Sequence, residues 1–334
     1  MYNQKKHVII FGIAVSIFLL LFSCEHGIFD LKEDRKADLT EERILFIKYE
    51  DTITEICSIK PDGTDLQTIA NHDIIASEFP TKSFYSEAQW SHDKSRIIIT
   101  VVPFESYAYS SVLWLMDNQG NLLKRITENG FSPNWSSDDN EILFARGMDH
   151  VDYFIVNFNT LDERLVLKAD DLYWANADWS ADGNYILTNE QYYWYNEDDK
   201  MEVSDQEVVL LQLSNGERIQ LTDTDVMDAG AQWSPDESKI AYISGRYTLG
   251  AQIMIMNSDG SGKTALVETL ALYNALHWSP NGDKIVFSKH DKLEGYSKYT
   301  KGSELFILDL NSGAINQLTH FESDSINVYL QDWK

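Results

Sequence analysis

The sequence predicts an all-β protein built from a repeated unit of four antiparallel strands, and three observations lead to this fold class. A polar residue precedes Trp six times, and five of these Trp residues are followed by Ser, at positions 90, 135, 179, 233, 278 and, without the Ser, 333. The intervals of 45, 44, 54, 45 and 55 residues are typical of propeller blades. Turn residues and apolar runs also recur in the same order after each Trp.

The unit that begins at Trp233 illustrates the four strands. Ser234-Pro235-Asp236-Glu237 predicts a tight turn, because Pro presets φ and Asp bonds its own backbone. An apolar strand, Lys239–Ile243, follows the turn and predicts a hairpin with the strand before it. A third run, Ile253–Met256, and a short fourth strand of the kind seen in Gln317-Leu318-Thr319 complete the unit. Four antiparallel strands per unit are typical of a β-propeller blade.

The chain ends predict how the ring closes. The C-terminal run Tyr329–Trp333 supplies a first strand with nothing after it, whereas the folded region begins with a second strand, Arg43–Ile47. Third and fourth strands follow at Thr54–Ile59 and Leu66–Ile69. Pairing the two fragments would remove exposed sheet edges. The sequence therefore predicts a six-bladed β-propeller of four-stranded antiparallel blades over residues 43–334, in which the C-terminal strand joins the N-terminal three strands.

The motif around Trp233 resembles a known family. Trp-Ser-Pro-Asp-x-x-x-Ile-Ala-Tyr is similar to the WD-like repeat of TolB-type propellers, which also occurs in the propeller domains of prolyl oligopeptidases. Trp233 and Trp278 match best, while the turns after Trp90 and Trp135 keep an acidic residue and lose the Pro. The resemblance implies a propeller over residues 43–334. TolB also has a separate N-terminal α/β domain for which this sequence has no room, so the partners of TolB do not carry over.

The N-terminal segment predicts export and lipid anchoring. Lys5 and Lys6 precede an apolar run, Val8–Phe22, that is shorter than a membrane span. The run ends in Leu21-Phe22-Ser23-Cys24, which resembles the lipobox of bacterial lipoproteins. That resemblance implies a signal peptide at 1–23, an acylated Cys24 and a charged flexible tether over 24–42. An ordinary signal peptide and an uncleaved anchor are the alternatives.

The composition restricts the partners. The formal net charge is −26, and removal of residues 1–23 takes away two lysines and no acid, which makes it −28. Nucleic-acid binding is excluded, because it depends on Lys and Arg neutralising phosphates. Anionic lipid would also repel the propeller, so we expect membrane contact through the lipid anchor only. The other cysteine, Cys57, is interpreted as a small buried hydrophobic residue.

A binding surface is predicted on one face of the ring. The connections between strands two and three, and between strand four and the next blade, share that face, and the length excess falls on them. The segments there are rich in aromatic residues, which combine contact area with a hydrogen-bonding tip. The proposed binding residues are Tyr107, Tyr109, Tyr193, Trp194, Tyr247, Tyr296 and Tyr299. Phe84, Tyr85, Tyr173, Trp174 and Tyr273 are expected in loops of the same face. Packing of these aromatics at loop bases is the alternative to binding.

The central channel is the second candidate site. The residues directly before the Trp positions are all polar, and alternation along a strand would turn them toward the channel. They are Gln89, Asn134, Asp178, Gln232, His277 and Asp332. A hydrated lumen with polar walls explains them, and a site for a cation or polar ligand at Asp178, His277 and Asp332 is the alternative. A calcium site at Asp223, Asp225 and Asp228 is less favoured than a solvated acidic loop.

Signals for catalysis are weak, and no cofactor or metal is predicted. The sequence has no Gly-x-Ser-x-Gly motif, and Gly260-Ser261-Gly262-Lys263-Thr264 lacks the first Gly of a phosphate-binding loop. We therefore expect a monomeric, lipid-anchored module of the outer membrane, facing the periplasm or the cell surface, that binds an envelope protein or a glycan. A lyase or hydrolase that uses channel carboxylates and His277 is the alternative function, and a purely structural lipoprotein is a third.

Overall fold

The computed structural model describes residues 41–76, 78–79, 83–103, 110–147, 151–169, 177–195, 201–246, 250–267, 272–290, 302–321, 323 and 325–334. The chain divides into two units, Met1–Ala37 and Asp38–Lys334, and every described residue belongs to the second unit. The predicted signal peptide, Cys24 and most of the predicted tether lie outside the described residues.

Four sheets consist of four antiparallel strands each. The first contains β1 (Ile44–Glu50), β2 (Ile53–Ile59), β3 (Gln67–Ala70) and β24 (Ile326–Trp333), in the order β24-β1-β2-β3. The second contains β4 (Ser83–Trp90), β5 (Arg96–Pro103), β6 (Val112–Asp117) and β7 (Leu122–Glu128). The third contains β8 (Phe131–Trp135), β9 (Glu141–Arg146), β10 (Val151–Asn157) and β11 (Glu163–Ala169). A short helix, α1 (His72–Ala76), connects β3 to β4.

The remaining strands form a long sheet and a fourth separate blade. The long sheet contains β12 (Asp178–Trp179), β13 (Tyr185–Tyr195), β14 (Met201–Gln212), β15 (Arg218–Gln220), β16 (Met227–Trp233), β17 (Lys239–Arg246), β18 (Gly250–Asn257) and β19 (Thr264–Ala265). The separate blade contains β20 (Leu272–Trp278), β21 (Lys284–His290), β22 (Ser303–Asp309) and β23 (Ile315–Gln317). The first of these two sheets has eight strands and the second has four.

The prediction of six four-stranded blades is therefore wrong. The described residues form four blades of four antiparallel strands, and the chain from β12 to β19 forms one continuous sheet instead of two further separate blades. The sheet is continuous because β14 and β16 pair in parallel at Gln206 and Met227. Thr224 reinforces this junction, since its backbone N–H donates to Glu207 at 2.8 Å and its hydroxyl donates to Asp228 at 3.2 Å.

The ring closes as the sequence predicted. β24 pairs antiparallel with β1, from Ile44 opposite Trp333 to Glu50 opposite Ile326. The backbones of Arg43 and Lys334 exchange two further hydrogen bonds, of 2.8 and 3.1 Å. The two ends of the unit are thus held in one sheet, in which β1 has a paired strand on each side and is no longer an edge.

The strands that carry the Trp motif lie innermost. Each of β4, β8, β12, β16, β20 and β24 contacts the next, and β24 contacts β4, so these strands surround a channel. The apolar core lies between neighbouring sheets. One core cluster joins Trp333, Ile44 and Phe46 to Val286 and Leu305 of the fourth blade. Trp90, Trp135 and Trp278 are buried in comparable clusters, which fits their interpretation as packing residues.

Two further expectations concern local structure. Phe84 and Tyr85 were expected in a loop, but they lie in β4, and Tyr85 is a fully buried core residue that hydrogen-bonds to the carbonyl of Asn71 at 3.1 Å. Cys57 is buried in the cluster at the ring closure, and burial raises the pKa of its thiol to about 11. Tyr85 is in a strand because β4 begins at Ser83, well before the Trp motif.

Within the described ranges, no helix has the length and apolar character needed to cross a membrane.

Candidate functional site: the channel and the two ends of the ring

The turn end of the ring is defined by the connections that follow the Trp motif, and it is highly regular. Each of these turns has five residues and begins with the Ser of the motif; they are 91–95, 136–140, 180–184, 234–238 and 279–283. The fourth residue has a positive φ in every one of them, whether it is Gly183 (74°) or Glu237 (54°). The backbone therefore has the same conformation in all five turns, even where a non-glycine residue must adopt the left-handed region.

The Ser of the motif holds each turn together. In the turn after Trp233, the Ser234 hydroxyl donates to Asp236 at 2.7 Å and accepts from the backbone N–H of Lys239 at 2.9 Å. Ser279 accepts from the N–H of Lys284 at the same distance of 2.9 Å. A side chain that replaces a missing backbone partner stabilises a turn, and this explains why Ser follows Trp.

The turn carboxylates are stabilised in their charged form. Hydrogen bonds from Asn140 and Ser136 lower the pKa of Asp138. The backbone N–H of Asn184 and the Ser180 hydroxyl lower the pKa of Asp182, and the hydroxyl of Ser234 does the same for Asp236. Hydrogen bonds to an ionised carboxylate favour that form. The aspartates of this end therefore serve the turns themselves.

Successive turns are also linked to one another. Asp139 accepts from the backbone N–H groups of His92 and Asp93 at 2.8 and 3.0 Å, and from the His92 ring at 2.8 Å. Ala181 donates its N–H to Glu237 at 2.5 Å. The polar residues of the turn end are thus used in contacts between successive turns.

Four of the six channel residues also connect neighbouring strands. The backbone N–H of Trp90 donates to Asp332 at 3.0 Å, that of Trp135 donates to Gln89 at 3.1 Å, and that of Trp233 donates to Asp178 at 2.8 Å. Asn134 donates its amide to the carbonyl of Ala177 at 2.6 Å. The residue before one Trp thus binds the innermost strand of the next repeat. The sequence had suggested only that these residues form polar walls of the channel.

Gln232 and His277 depart from this pattern. Neither side chain hydrogen-bonds to another described residue, and the N–H of Trp333 is bound by Asp332 at 2.8 Å instead of by His277. Gln232 contacts the next repeat only through its backbone carbonyl, which accepts a hydrogen bond from the Trp278 indole at 3.2 Å. The sector formed by β16 and β20 therefore presents polar groups that the ring itself does not use.

Described residues of the innermost strands line two cavities in the channel. The cavity at the turn end has a volume of about 330 Å³ and is lined by Asp178, Glu237, Asp332 and Lys334 together with several of the motif Trp residues. The cavity toward the loops has a volume of about 290 Å³ and is lined by Glu87, Asn134 and Gln331 among others. Gln89, Gln232 and His277 line both cavities, so they mark the level at which the two meet.

The environment of the channel suppresses charge of both signs. Burial raises the pKa of Asp178 to about 7, against the hydrogen bond from Trp233 and the positive charge of Lys334. Burial lowers the pKa of His277 to about 4, against the negative charge of Asp332. Desolvation disfavours the ionised form of an acid and of a base alike. At neutral pH His277 is therefore uncharged and Asp178 is partly protonated.

The three residues suggested for a cation site are brought to one part of the channel but have different roles. Asp178, His277 and Asp332 all line the cavity at the turn end. Asp178 and Asp332 already hold backbone N–H groups, as described above. In the described ranges, no three His, Cys, Asp or Glu side chains converge in a way that could hold a metal ion. Asp228, from the candidate calcium loop, is fully buried at the junction with β14, and burial raises its pKa.

The loop end is defined by the connections at the opposite edge of the sheets, and it is irregular. These connections range from two residues, 51–52, to twelve, 291–302. Tyr107, Tyr109, Tyr247, Tyr296 and Tyr299 fall in such connections and lie outside the described residues, as do Tyr173 and Trp174.

Besides Phe84 and Tyr85, three more aromatics that were expected in loops lie within strands. Tyr193 and Trp194 belong to β13, where they pair with Val203 and Glu202 of β14. Tyr273 belongs to β20, where it pairs with Lys289 of β21. The segment 189–199, which the sequence suggested as a loop, is thus in large part an extension of the β13–β14 hairpin beyond the length of its neighbours.

Comparison with known proteins identifies the fold. A family model described as eukaryotic translation initiation factor eIF2A matches residues 175–322, which is less than half of the chain. No curated protein matches the chain. Among solved structures, TolB from Acinetobacter baumannii has a TM-score of 0.64 at 18% identity, over 86% of this chain and 66% of that one. This chain therefore spans just under two thirds of the length of the Acinetobacter protein.

Two more solved structures extend the comparison. A putative TolB from Agrobacterium tumefaciens has a TM-score of 0.56 at 15% identity, over 87% of this chain and 98% of that one. An oligogalacturonate lyase in complex with manganese has a TM-score of 0.50 at 14% identity, over 85% of this chain and 74% of that one. These likenesses confirm the TolB-type propeller fold, and at such low identity they concern the fold alone.

Proposed function

We propose that this TolB-type β-propeller is a binding module of the cell envelope that holds a protein or glycan partner on its loop end. The observation that carries the proposal is the contrast between the two ends. Five turns of equal length and equal backbone conformation form one end, whereas connections of two to twelve residues form the other. Variable segments mounted on a rigid scaffold are where binding residues are usually found.

The aromatic content of the loop end supports the same proposal. Tyr107, Tyr109, Tyr247, Tyr296 and Tyr299 all belong to connections at that end. Tyr193 and Trp194 belong to the extended hairpin at the same end. Tyr and Trp supply large contact areas at a low entropic cost, together with a hydrogen-bonding group. We propose that these residues form the partner-binding surface.

We propose further that the N-terminal segment places this module at the membrane. Residues 1–23 would act as a lipoprotein signal peptide, Cys24 would carry the acyl chains and residues 24–42 would be the tether. Two acyl chains are sufficient for stable anchoring. The formal charge of −28 that remains after removal of residues 1–23 makes the lipid the only favourable contact with an anionic membrane. An outer-membrane location, facing the periplasm or the cell surface, is the setting we propose.

The alternative of an enzyme has less support. Two of the three residues that it would use, Asp178 and Asp332, each accept a hydrogen bond from the backbone of a neighbouring strand. Each of these carboxylates therefore already has a role in holding the ring together. The channel residues are therefore better explained as parts of the ring and, for Gln232 and His277, as ligand contacts.

The proposal can be tested by replacing Tyr193, Trp194, Tyr296 and Tyr299 together with alanine. We expect the variant to lose the partner that wild type retains in a cross-linked pull-down from the native envelope. The matched control replaces Leu165, Ile219 and Ile315 with alanine, because these apolar side chains are exposed on the outermost strands, away from the loop end. The proposal fails if the first variant recovers the partner as well as wild type does, or if the control loses it equally.

A further inference from the structure

We propose that the channel binds a neutral, hydroxyl-rich ligand, such as one sugar unit of a glycan, between Gln232 and His277. This site is separate from the surface at the loop end. The observations that support it are a break in the hydrogen-bond pattern of the innermost strands, the position of the two residues at the meeting point of the cavities, and the suppression of charge in their surroundings.

The break in the pattern leaves specific groups available. Gln89, Asp178 and Asp332 each accept the backbone N–H of a neighbouring repeat's Trp, whereas Gln232 and His277 make no side-chain hydrogen bond to any described residue. An amide offers donors and acceptors, and a neutral imidazole offers one of each. A half-buried polar group without a protein partner is favourable only if water or a ligand satisfies it. Gln232 and His277 are therefore the channel groups best placed to accept and donate to a ligand.

Their position makes them accessible from both sides. Each of the two residues lines the 330 Å³ cavity at the turn end and also the 290 Å³ cavity toward the loops. Cavities of about 300 Å³ and more are in the range that small-molecule sites occupy. A ligand that enters from either mouth thus meets Gln232 and His277, and Asp178 lies on the neighbouring strand with one carboxyl oxygen not used by Trp233.

The surroundings select the charge of the ligand. Burial is the main cause of both the raised pKa of Asp178 and the lowered pKa of His277, so this environment penalises negative and positive charge alike. A charged ligand would incur the same desolvation penalty. An anion would in addition face Asp332 and Glu237. For a cation, burial already outweighs the attraction of Asp332 in the case of the His277 imidazolium. A neutral ligand with many hydroxyl groups avoids these costs and matches the mixed donors and acceptors.

The ring of indoles is compatible with such a ligand. Trp135, Trp179, Trp233, Trp278 and Trp333 all contribute to the wall of the turn-end cavity. A wall of largely apolar residues with a few polar side chains is the usual composition of a small-molecule site. The sugar class is thus inferred from the combination of the Trp residues in the wall, the amide of Gln232 and the neutral imidazole of His277.

The test uses the purified full-length protein in detergent and a panel of probes measured by calorimetry and by the imidazole NMR signals of His277. The panel contains neutral mono- and disaccharides, the corresponding amino sugars and the corresponding uronic acids. We expect at least one neutral sugar to bind and to shift the His277 signals, with weaker binding of its amino and acidic analogues. Binding of none of the neutral sugars, or preferential binding of a charged analogue, overturns the proposal.

Variants locate the site. Gln232→Leu and His277→Phe should each lower the affinity for the sugar by about tenfold, which is equivalent to the loss of one hydrogen bond of ordinary strength. His277→Gln, which keeps a donor and an acceptor, should restore part of the affinity, a result that a purely structural role for His277 would not give. The matched controls Gln119→Leu and His320→Phe make the same changes at exposed positions and should bind like wild type.

The outcome is distinguishable from that of the proposed function. The alanine variant of Tyr193, Trp194, Tyr296 and Tyr299 should bind the sugar normally, because the channel residues are unchanged. If that variant loses the sugar while Gln232→Leu retains it, the sugar binds at the loop end and the channel site is refuted.

Discussion

The two ends of this propeller differ in the regularity of their connections and in what their polar residues contact. At the turn end, Ser234 and Asp236 bind each other and the neighbouring backbone, and Asp139 binds His92 of the adjacent turn. At the loop end, the connections vary from two to twelve residues, and the β13–β14 hairpin extends beyond its neighbours. Polar residues in a repeat are therefore informative about function chiefly where the repeat stops being regular.

The same distinction holds inside the channel. Asp332, Gln89 and Asp178 support the strands beside them, whereas Gln232 and His277 do not. The six residues that precede the motif Trp therefore fall into two groups: those that hydrogen-bond to a neighbouring strand, and those whose side chains remain available to a ligand.

Asp332→Leu should cause the largest loss of stability. Asp332 is buried and accepts the backbone N–H groups of Trp90 and Trp333 at 3.0 and 2.8 Å. Each buried N–H left without a partner costs about 1–3 kcal/mol, so we expect the free energy of unfolding to fall by about 3 kcal/mol or more. Urea unfolding measures this. His277→Leu serves as the comparison and should cost clearly less, because no backbone group depends on His277; equal losses would contradict the division.

The pH dependence of stability should separate Asp178 from His277. The folded-state pKa of Asp178 is raised to about 7, so its contribution is present at low pH and is lost as the pH rises from the ordinary Asp range to about 7. The folded-state pKa of His277 is lowered to about 4, so stability is lost as the pH falls from about 6.5 toward 4. The two slopes oppose each other between pH 4 and 6.5 in the wild-type protein.

Single variants should reveal each slope. Asp178→Asn keeps an acceptor for Trp233 and removes a contribution that falls with pH, so between pH 4 and 6.5 stability should change with pH more positively than in wild type. His277→Gln removes a contribution that rises with pH, so over the same range stability should change more negatively than in wild type. Thermal or urea unfolding at a series of pH values provides the measurement. Parallel pH profiles for the two variants would show that these groups do not have the surroundings described.

Ser279→Ala should have a moderate effect on stability. The buried Ser279 hydroxyl accepts from the N–H of Lys284 at 2.9 Å and donates to Asp283 at 3.1 Å. Loss of one such group typically costs about 1 kcal/mol. Ser312→Ala, at an exposed turn between outer strands, is the control and should cost less. If the two substitutions have the same effect in urea unfolding, the Ser of the motif does not stabilise its turn in the way proposed.

The contribution of the turn aspartates to stability should change with pH in the direction opposite to that of Asp178. The pKa values of Asp138, Asp182 and Asp236 are lowered in the folded state, so their contribution is present above the ordinary Asp pKa of about 4 and is lost as the pH falls through the lower folded values. Replacing all three with Asn should flatten the acid limb of the stability profile below about pH 4. An unchanged acid limb would refute this assignment.

Much of the fold could be predicted from the sequence because its determinants are local. The Trp-Ser motif, the turn residues and the apolar runs all lie within about ten residues of one another, and the strands β16, β17 and β18 follow them. The continuous sheet from β12 to β19 could not be predicted, because it depends on one bridge between Gln206 and Met227 that no local pattern marks.

The channel site was predictable only in part. The sequence located the polar residues before each Trp, but it could not distinguish those that bind a neighbouring backbone from those that do not. That distinction depends on contacts across 46 residues between Gln89 and Trp135, or 242 between Trp90 and Asp332. The misplacement of Tyr85 has a similar cause, because its burial depends on packing against α1 and β2, which the repeat pattern does not report.

The most direct test of the account is site-specific photo-cross-linking in the native envelope. A photoreactive amino acid is placed at the loop end, at Tyr193, Tyr247 or Tyr299, and at the exposed positions Ser137 and Asn281 of the turn end. We predict cross-links to a partner from the loop-end positions and none from the turn-end positions. Cross-links that form mainly from Ser137 and Asn281 would contradict the assignment of structural and binding roles to the two ends.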